Sequence, residues 1–272
     1  MIPDRQYAVL PPPSHGIEHR YGERVFLHSD PWAMSALLRL CSPDTTQPLL
    51  NHLVAGLYDH LLHQVAGIEL ARAFLDRPTR MAAHHALGRY AGTALDPAQD
   101  VVVVDIARAG MLPAIRFFEG LSLLLDPARV RQDHVFSSRV LNDRGEVVGA
   151  DVSGAKVGGS AAGRLVLLPD PMGATGTSMV RVMDFYRDLP GGPPARFVAV
   201  HLIVTPEYLR RVLGCGHPVH VHAVRLDRGL SPAEVLAEVP GVRWDEEQGL
   251  NGGDYIIPGA GGLGELMNNT RR

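Results

Sequence analysis

The chain has 272 residues, 46% of them hydrophobic, and a formal net charge of −3. That length and apolar share support one large α/β domain with its own core, while the slight acidity and the lack of a dense basic cluster exclude an extended nucleic-acid surface. No apolar run approaches the roughly 20 residues of a membrane span, and Met1-Ile2-Pro3-Asp4 has neither the charged nor the apolar part of a signal peptide, so the expected location is cytoplasmic with no membrane partner.

Pro11-Pro12-Pro13 favours polyproline geometry, so residues 1–30 read as an extended N-terminal arm. Over residues 49–75 apolar side chains recur at helical spacing, among them Leu50, Leu53, Val54, Leu57, Leu61, Leu62 and Val65, which predicts one long amphipathic helix. Pro78 marks its end or a restart. Four short apolar runs follow at 101–104, 165–168, 197–204 and 219–224, separated by helix-length material. That alternation predicts an α/β fold with a parallel sheet covered on both faces. In such sheets ligands bind beyond the carboxyl ends of the strands.

The run 165–168 leads into Asp170-Pro171-Met172-Gly173-Ala174-Thr175-Gly176-Thr177-Ser178, followed by a helix-like segment from Met179. Strand, small-residue loop and helix start together make an anion site. Glycines let the backbone approach a phosphate, Thr175, Thr177 and Ser178 add hydroxyl donors, and the helix start adds unpaired N–H groups and the positive dipole end. Asp170 repels that phosphate, so its expected partners are the hydroxyls of an attached sugar or a metal shell. Phosphate plus sugar suggests a ribose 5-phosphate group. A Walker loop is excluded, because Gly176 rather than lysine precedes Thr177.

Residues 136–163 are polar and glycine-rich, and predict a mobile excursion rather than a core element. Lys156, the only lysine of the chain, lies within it. Ser231-Pro232-Ala233-Glu234 reads as an N-cap followed by proline in a first helical turn, which places a short helix inside 231–249. Cys41 and Cys215 have no metal-ligand spacing and predict no disulfide framework. His220 and His222 share one face of a strand, yet no third ligand is apparent, and no zinc site is expected. Gly259-Ala260-Gly261-Gly262-Leu263-Gly264 matches a dinucleotide fingerprint, but the residues after it cannot supply the second strand and acidic residue that motif needs.

The loop from Asp170 to Gly176 resembles the ribose-phosphate loop of type I phosphoribosyltransferases, in the Asp-Pro form of the uracil phosphoribosyltransferase family. The resemblance continues in order along the chain. Ala107-Arg108-Ala109-Gly110-Met111 resembles the family's pyrophosphate loop, Pro127-Ala128-Arg129-Val130 the segment after its next helix, and Thr205-Pro206-Glu207 an Ala-Pro-Glu turn. Tyr255-Ile256-Ile257-Pro258-Gly259-Ala260-Gly261 resembles the base-binding loop, and Val25-Phe26-Leu27-His28 the N-terminal arm. This implies a type I phosphoribosyltransferase fold over residues 1–272, with a central parallel sheet flanked by helices, a flexible lid loop at 136–163, and a small C-terminal hood at 227–272 carrying an insertion at 231–249.

The implied substrates are 5-phosphoribosyl 1-pyrophosphate (PRPP) and a heterocyclic base, uracil or a relative, with Mg2+ bound mainly through PRPP and a homo-oligomer of at least two chains. The implied catalytic residues are Asp170 and Arg108. PRPP falls to Ala109, Gly110, Met172, Gly173, Ala174, Thr175, Gly176, Thr177 and Ser178, with Arg139 and Lys156 as lid donors to pyrophosphate. Tyr255, Ile256, Gly261 and Gly262 match the base-site positions, and no residue is assigned to a metal. One departure stands out. Where the family continues Gly-Asp-x-Gly-Asp-Arg, this chain has Gly261-Gly262-Leu263-Gly264-Glu265-Leu266, losing an acid at Gly262 and an arginine at Leu266. Two functions are therefore carried forward: a transferase whose acceptor differs from uracil, and a nucleotide-binding regulator without turnover.

Overall fold

The computed structural model describes residues 7, 13, 16–141 and 147–270, with backbone only for 138–141 and 147–150. In chain order the principal elements are β1 (Val25–Leu27), α1 (Pro31–Leu40), α2 (Leu49–Glu69), β2 (Arg72–Pro78), β3 (Arg89–Leu95), β4 (Val101–Ala107), α3 (Met111–Leu124), β5 (Val130–Leu141), β6 (Val147–Lys156), β7 (Leu165–Pro169), β8 (Met172–Gly173), α4 (Thr177–Arg187), β9 (Arg196–Val204), α5 (Pro206–Leu213), β10 (Val219–Leu226), α6 (Ala233–Leu236) and α7 (Leu263–Leu266).

The four apolar runs are β4, β7, β9 and β10. They form the middle of a sheet ordered β1-β10-β9-β7-β4-β5-β6, with β8 on β9, and every pair is parallel except β5 with β6. Alternate side chains of one strand enter two different cores. Val101 and Val103 pack with α1, α2 and α3, whereas Val102 and Val104 pack with α4 and α5. A strand covered on both faces needs apolar residues at consecutive positions, which is why these segments read as unbroken runs. No helix among the described residues is long and apolar enough to cross a membrane.

Three sequence expectations need correction. The helix predicted over 49–75 ends at Glu69, and Leu75 lies in β2. Tertiary bonds end it: the Ala71 amide donates to the Gln99 side chain at 2.9 Å, and Asp96 donates to the Ala71 carbonyl at 2.9 Å. Glu69 itself is drawn onto His220 and His222, each at 2.8 Å, which confirms that the two imidazoles share a face. The glycine-rich segment predicted as an excursion is instead an antiparallel hairpin, β5 and β6, that continues the sheet at one edge. Residues 142–146 at its tip lie outside the described residues.

Residues 231–249 do hold a short helix, α6, but Ser231 does not cap it. Its hydroxyl accepts the Gln248 amide at 2.9 Å and so ties the two ends of the segment together. Buried Glu247 organises the rest, accepting from Arg228 and the Gly241 amide at 2.8 Å each and from the Tyr21 hydroxyl. Pro11 and Pro12, on which the extended arm rests, lie outside the described residues; from residue 16 the arm joins the sheet through β1 beside β10, and the Gly16 amide bonds back to Leu27 at 2.9 Å.

Candidate active site

The carboxyl ends of β4, β7 and β10 lead into three segments that meet. Residues 108–110 follow β4 and open α3, while residues 170–176 follow β7 and open α4. The two loops touch through Gly110. A Cβ there would lie 2.8 Å from the Ile106 carbonyl oxygen and 3.0 Å from that of Pro169, so only glycine permits this approach. Arg108 is exposed, and its Nη1 donates to the Thr270 hydroxyl at 3.0 Å.

The second loop has a geometry that can receive an anion. Gly176 adopts φ 76° as the N-cap of α4, a left-handed turn into a helix start that carries the Thr177 and Ser178 hydroxyls. Thr175 and Thr177 hydroxyls are 3.2 Å apart. Behind the loop, β8 pairs with the end of β9, the Thr205 amide donates to the Gly173 carbonyl at 3.1 Å, and the Thr205 hydroxyl donates to the Ala174 carbonyl at 2.7 Å. The loop is therefore held against the end of β9 by the amide and hydroxyl of Thr205.

Half-buried Asp170 stands at the mouth of this loop, its amide donating to Val200 at 2.9 Å. Burial pushes its carboxyl up to about 7, with a hydrogen bond from the Met172 amide pulling the other way. A carboxylate so poorly solvated gains from any hydroxyl or cation brought against it.

The third segment is a hood. Leu250 and Ile256 form an antiparallel bridge flanked by bonds from Asn251 to Tyr255 at 3.0 Å and from Ile257 to Gly249 at 2.8 Å. That pairing does not use the Ile256 amide and carbonyl, while the Ile256 side chain is buried in the core. Two carboxylates stitch the hood down: Glu207 accepts from the Gly249 and Leu250 amides at 2.9 and 3.2 Å, and Asp227 accepts from the Gly259 amide at 2.7 Å. Gly262 caps α7 without a side-chain bond, and a Cβ at Gly264 would lie 3.3 Å from the Ala109 methyl. The hood thus reaches the loop after β4.

A family model for uracil phosphoribosyltransferase matches residues 58–243. The chain belongs to the uracil phosphoribosyltransferase family. It is a pentosyltransferase with the type I phosphoribosyltransferase fold, and members of the family transfer a phosphoribosyl group to a base. A uracil phosphoribosyltransferase of Pyrobaculum islandicum is 30% identical over 211 residues, covering 77% of this chain and 84% of that one. One of Thermococcus sibiricus is 22% identical over 89% of each chain. In fold, the AQ2163 protein of Aquifex aeolicus superposes with a TM-score of 0.66 at 20% identity, covering 89% of this chain and 97% of that one. The matched residues of the family model stop at 243, short of the tyrosine loop that carries the departure at Gly262.

Against this phosphoribosyltransferase framework, the residues singled out in the sequence fall into two groups. Arg108, Ala109, Gly110, Asp170, Met172, Gly173, Ala174, Thr175 and Gly176 sit on the two touching loops, Thr177 and Ser178 in the first turn of α4, and Tyr255, Ile256, Gly261 and Gly262 on the adjoining hood. Lys156 ends β6 at the outer edge of the sheet, paired with His134, which pairs with Asp105 two residues before the end of β4. The antiparallel return of β6 runs it back down the sheet. Arg139 lies past the end of β4 in β5, and its side chain is outside the described residues. Sequence reading missed Arg211, whose guanidinium bonds the Thr177 hydroxyl. Its only signal was a place on α5, after the turn at Thr205-Pro206-Glu207.

The two loops offer a magnesium ion one carboxylate, Asp170, beside the phosphates of a substrate. Among the described residues no group of three or more His, Cys, Asp or Glu side chains could hold a metal ion, and Asp170 offers one carboxylate. Mg2+ commonly takes one or two carboxylates and completes its shell with phosphate oxygens and water. A cavity of about 490 Å3 lined by Glu69, Asp100, Arg164 and Arg196 lies elsewhere, at the N-terminal ends of the strands.

Proposed function

We propose that this enzyme transfers the 5-phosphoribosyl group of PRPP to a ring nitrogen of a heterocyclic base other than uracil, releasing pyrophosphate. The observation that carries the reading is the contact of two loops at the strand ends, one anion-binding and one bearing Arg108, brought together at Gly110 and Pro169. Amides and hydroxyls of Gly173, Ala174, Thr175, Gly176, Thr177 and Ser178 take the 5-phosphate. Asp170 takes the ribose hydroxyls. Arg108, with the amides of Ala109 and Gly110, takes the pyrophosphate, and Mg2+ bound through PRPP offsets its charge. The chain thereby holds C1 between leaving group and base, and its fixed dipoles and cation stabilise charge as it separates.

The base lies under the hood, where the amide and carbonyl of Ile256 offer fixed edges and Tyr255 and Gly261 flank them. Gly262 removes the acid at this point of the loop, leaving polar groups of a uracil edge without a partner. That deficit costs roughly 1–3 kcal/mol, enough to change preference between related bases. Glycine also opens space for a larger heterocycle. Pyrophosphate release from PRPP across a panel of bases tests this, with uracil expected to be poor. UMP formation at ordinary enzymatic rates, on the order of 1–10³ per second, removes the altered-acceptor reading. The losses at Gly262 and Leu266 also suit a regulator, which the same assay reveals as PRPP binding without pyrophosphate release for any base.

A homodimer fits the surface. The hairpin of β2 and β3 forms a sheet of its own, and on and around it Phe74, Met81, Leu87 and Tyr90 are exposed. An isolated two-stranded hairpin is marginal in water and gains by packing its apolar side chains on a second copy. Sedimentation is expected to show a dimer that Phe74→Asp weakens by tenfold or more; a monomeric wild type sinks the idea. Charged phosphate substrates do not cross membranes unaided, which favours a cytoplasmic enzyme whose partners are small molecules rather than nucleic acid or membrane.

A further inference from the structure

His201 interrupts the apolar run of β9 and is fully buried. Its Nδ1 lies within hydrogen-bond distance of the Asp170 main-chain carbonyl, and its Nε2 lies 2.6 Å from the Tyr208 hydroxyl. The carbonyl can only accept, so Nδ1 carries the proton. Burial holds the imidazole neutral, with its pKa pushed down to about 4, against the bond to Asp170. Nε2 is therefore an acceptor and the Tyr208 hydroxyl its donor. The bonds run in one direction: Tyr208 to His201, and His201 to the residue that carries the ribose carboxylate.

The other end of this chain meets the phosphate loop. Tyr208, itself fully buried, lies in the first turn of α5, and its amide donates at 3.0 Å to the Thr205 hydroxyl that holds Ala174. Its ring lies directly beneath the loop. A Cβ on Gly173 would stand 3.1 Å from ring carbons of Tyr208, and one on Gly176 would stand 3.4 Å away. One pair of side chains thus touches both parts of the donor site: Asp170 at one end and residues 173–176 at the other. A buried polar pair costs stability unless every group is satisfied, and when satisfied it specifies one arrangement of the backbone around it.

We propose that His201 and Tyr208 are positioning residues for PRPP, a hydrogen-bonded strut that sets the Asp170 carboxylate and the phosphate loop in a fixed mutual geometry. This rests on the functional reading above. An apolar pair of the same volume would fill the space without fixing the direction of the Asp170 carbonyl or the height of the ring under Gly173.

Tyr208→Phe is the sharp test, because it keeps the ring and removes only the hydroxyl. His201→Asn keeps a donor near the Nδ1 position and gives up Tyr208, whereas His201→Leu gives up both. Binding of PRPP with Mg2+ is measured by calorimetry, and the Michaelis constants of PRPP and of the best base by steady-state kinetics. The expected result is about tenfold weaker PRPP binding in Tyr208→Phe, an unchanged KM for the base, and partial recovery in His201→Asn relative to His201→Leu. A structural role alone would lower kcat with the active fraction and leave both Michaelis constants where they were. Wild-type PRPP affinity in Tyr208→Phe overturns the strut while the functional reading stands. Failure of the wild type to bind PRPP overturns both.

Discussion

Asp170→Asn is expected to lose about 10- to 100-fold in turnover and to become more stable than the wild type above pH 7. The first effect follows from removing a charged acceptor for the ribose hydroxyls, since hydrogen bonds to charged groups are worth roughly 1.5–3 kcal/mol. The second follows from linkage. Burial raises the Asp170 pKa from 3.8 to about 7 in the folded chain, so the folded state holds this proton more tightly than the unfolded state does. The stability that comes with the neutral carboxyl is complete below pH 4 and is lost as pH rises through 7. Asparagine never ionises and keeps it. With solvent screening of a half-buried group, the gain at pH 8 is on the order of 2 kcal/mol.

Thermal unfolding of ligand-free wild type and variant at pH 4, 6 and 8 checks the sign: the curves should nearly coincide at pH 4 and separate as pH rises. A constant difference across that range would remove the titration from the account. In the wild type, PRPP affinity should fall as pH drops below 7, because the proton competes with the ribose hydroxyls. A site that is uncomfortable when empty and satisfied when filled exchanges stability for binding, a pattern common at functional carboxylates.

Gly110→Ala is expected to lose about 100-fold in kcat/KM with the fold retained. The added methyl meets the Ile106 amide nitrogen at 2.9 Å, the Ile106 carbonyl at 2.8 Å and the Pro169 carbonyl at 3.0 Å. All three are backbone atoms, which cannot rotate aside as a side chain can. The loop carrying Arg108 must therefore move away from the one carrying Asp170. A displacement near 1 Å between reacting parts costs about 100-fold, while overpacking costs roughly 1–3 kcal/mol in stability. Gly56→Ala on α2 is the matched control, because the nearest atom to its new methyl is Trp32 at 3.8 Å. Wild-type kcat/KM in Gly110→Ala, measured by pyrophosphate release, would show that the two loops need not touch to work.

How far the sequence determined this protein depends on the range of the interactions involved. Residues 101–104, 165–168, 197–204 and 219–224 were legible as strands because burial on both faces demands consecutive apolar residues. The loop from Asp170 to Ser178 was legible because its small and hydroxyl-bearing residues follow one such strand directly. These are local patterns, and the chain carries them within a few positions. The end of α2 was not local: helical spacing ran on past Glu69, and the Gln99 bonds to Ala71 stopped it. Nor was the place of Lys156, which the antiparallel return of β6 sets beside His134 at the sheet edge. Tertiary structure alone decided that Gly110 meets Pro169, that Arg211 reaches Thr177, and that His201 and Tyr208 stand behind Asp170. It also set the Asp170 pKa, because that value depends on which groups crowd out water, and those groups come together only when distant segments pack.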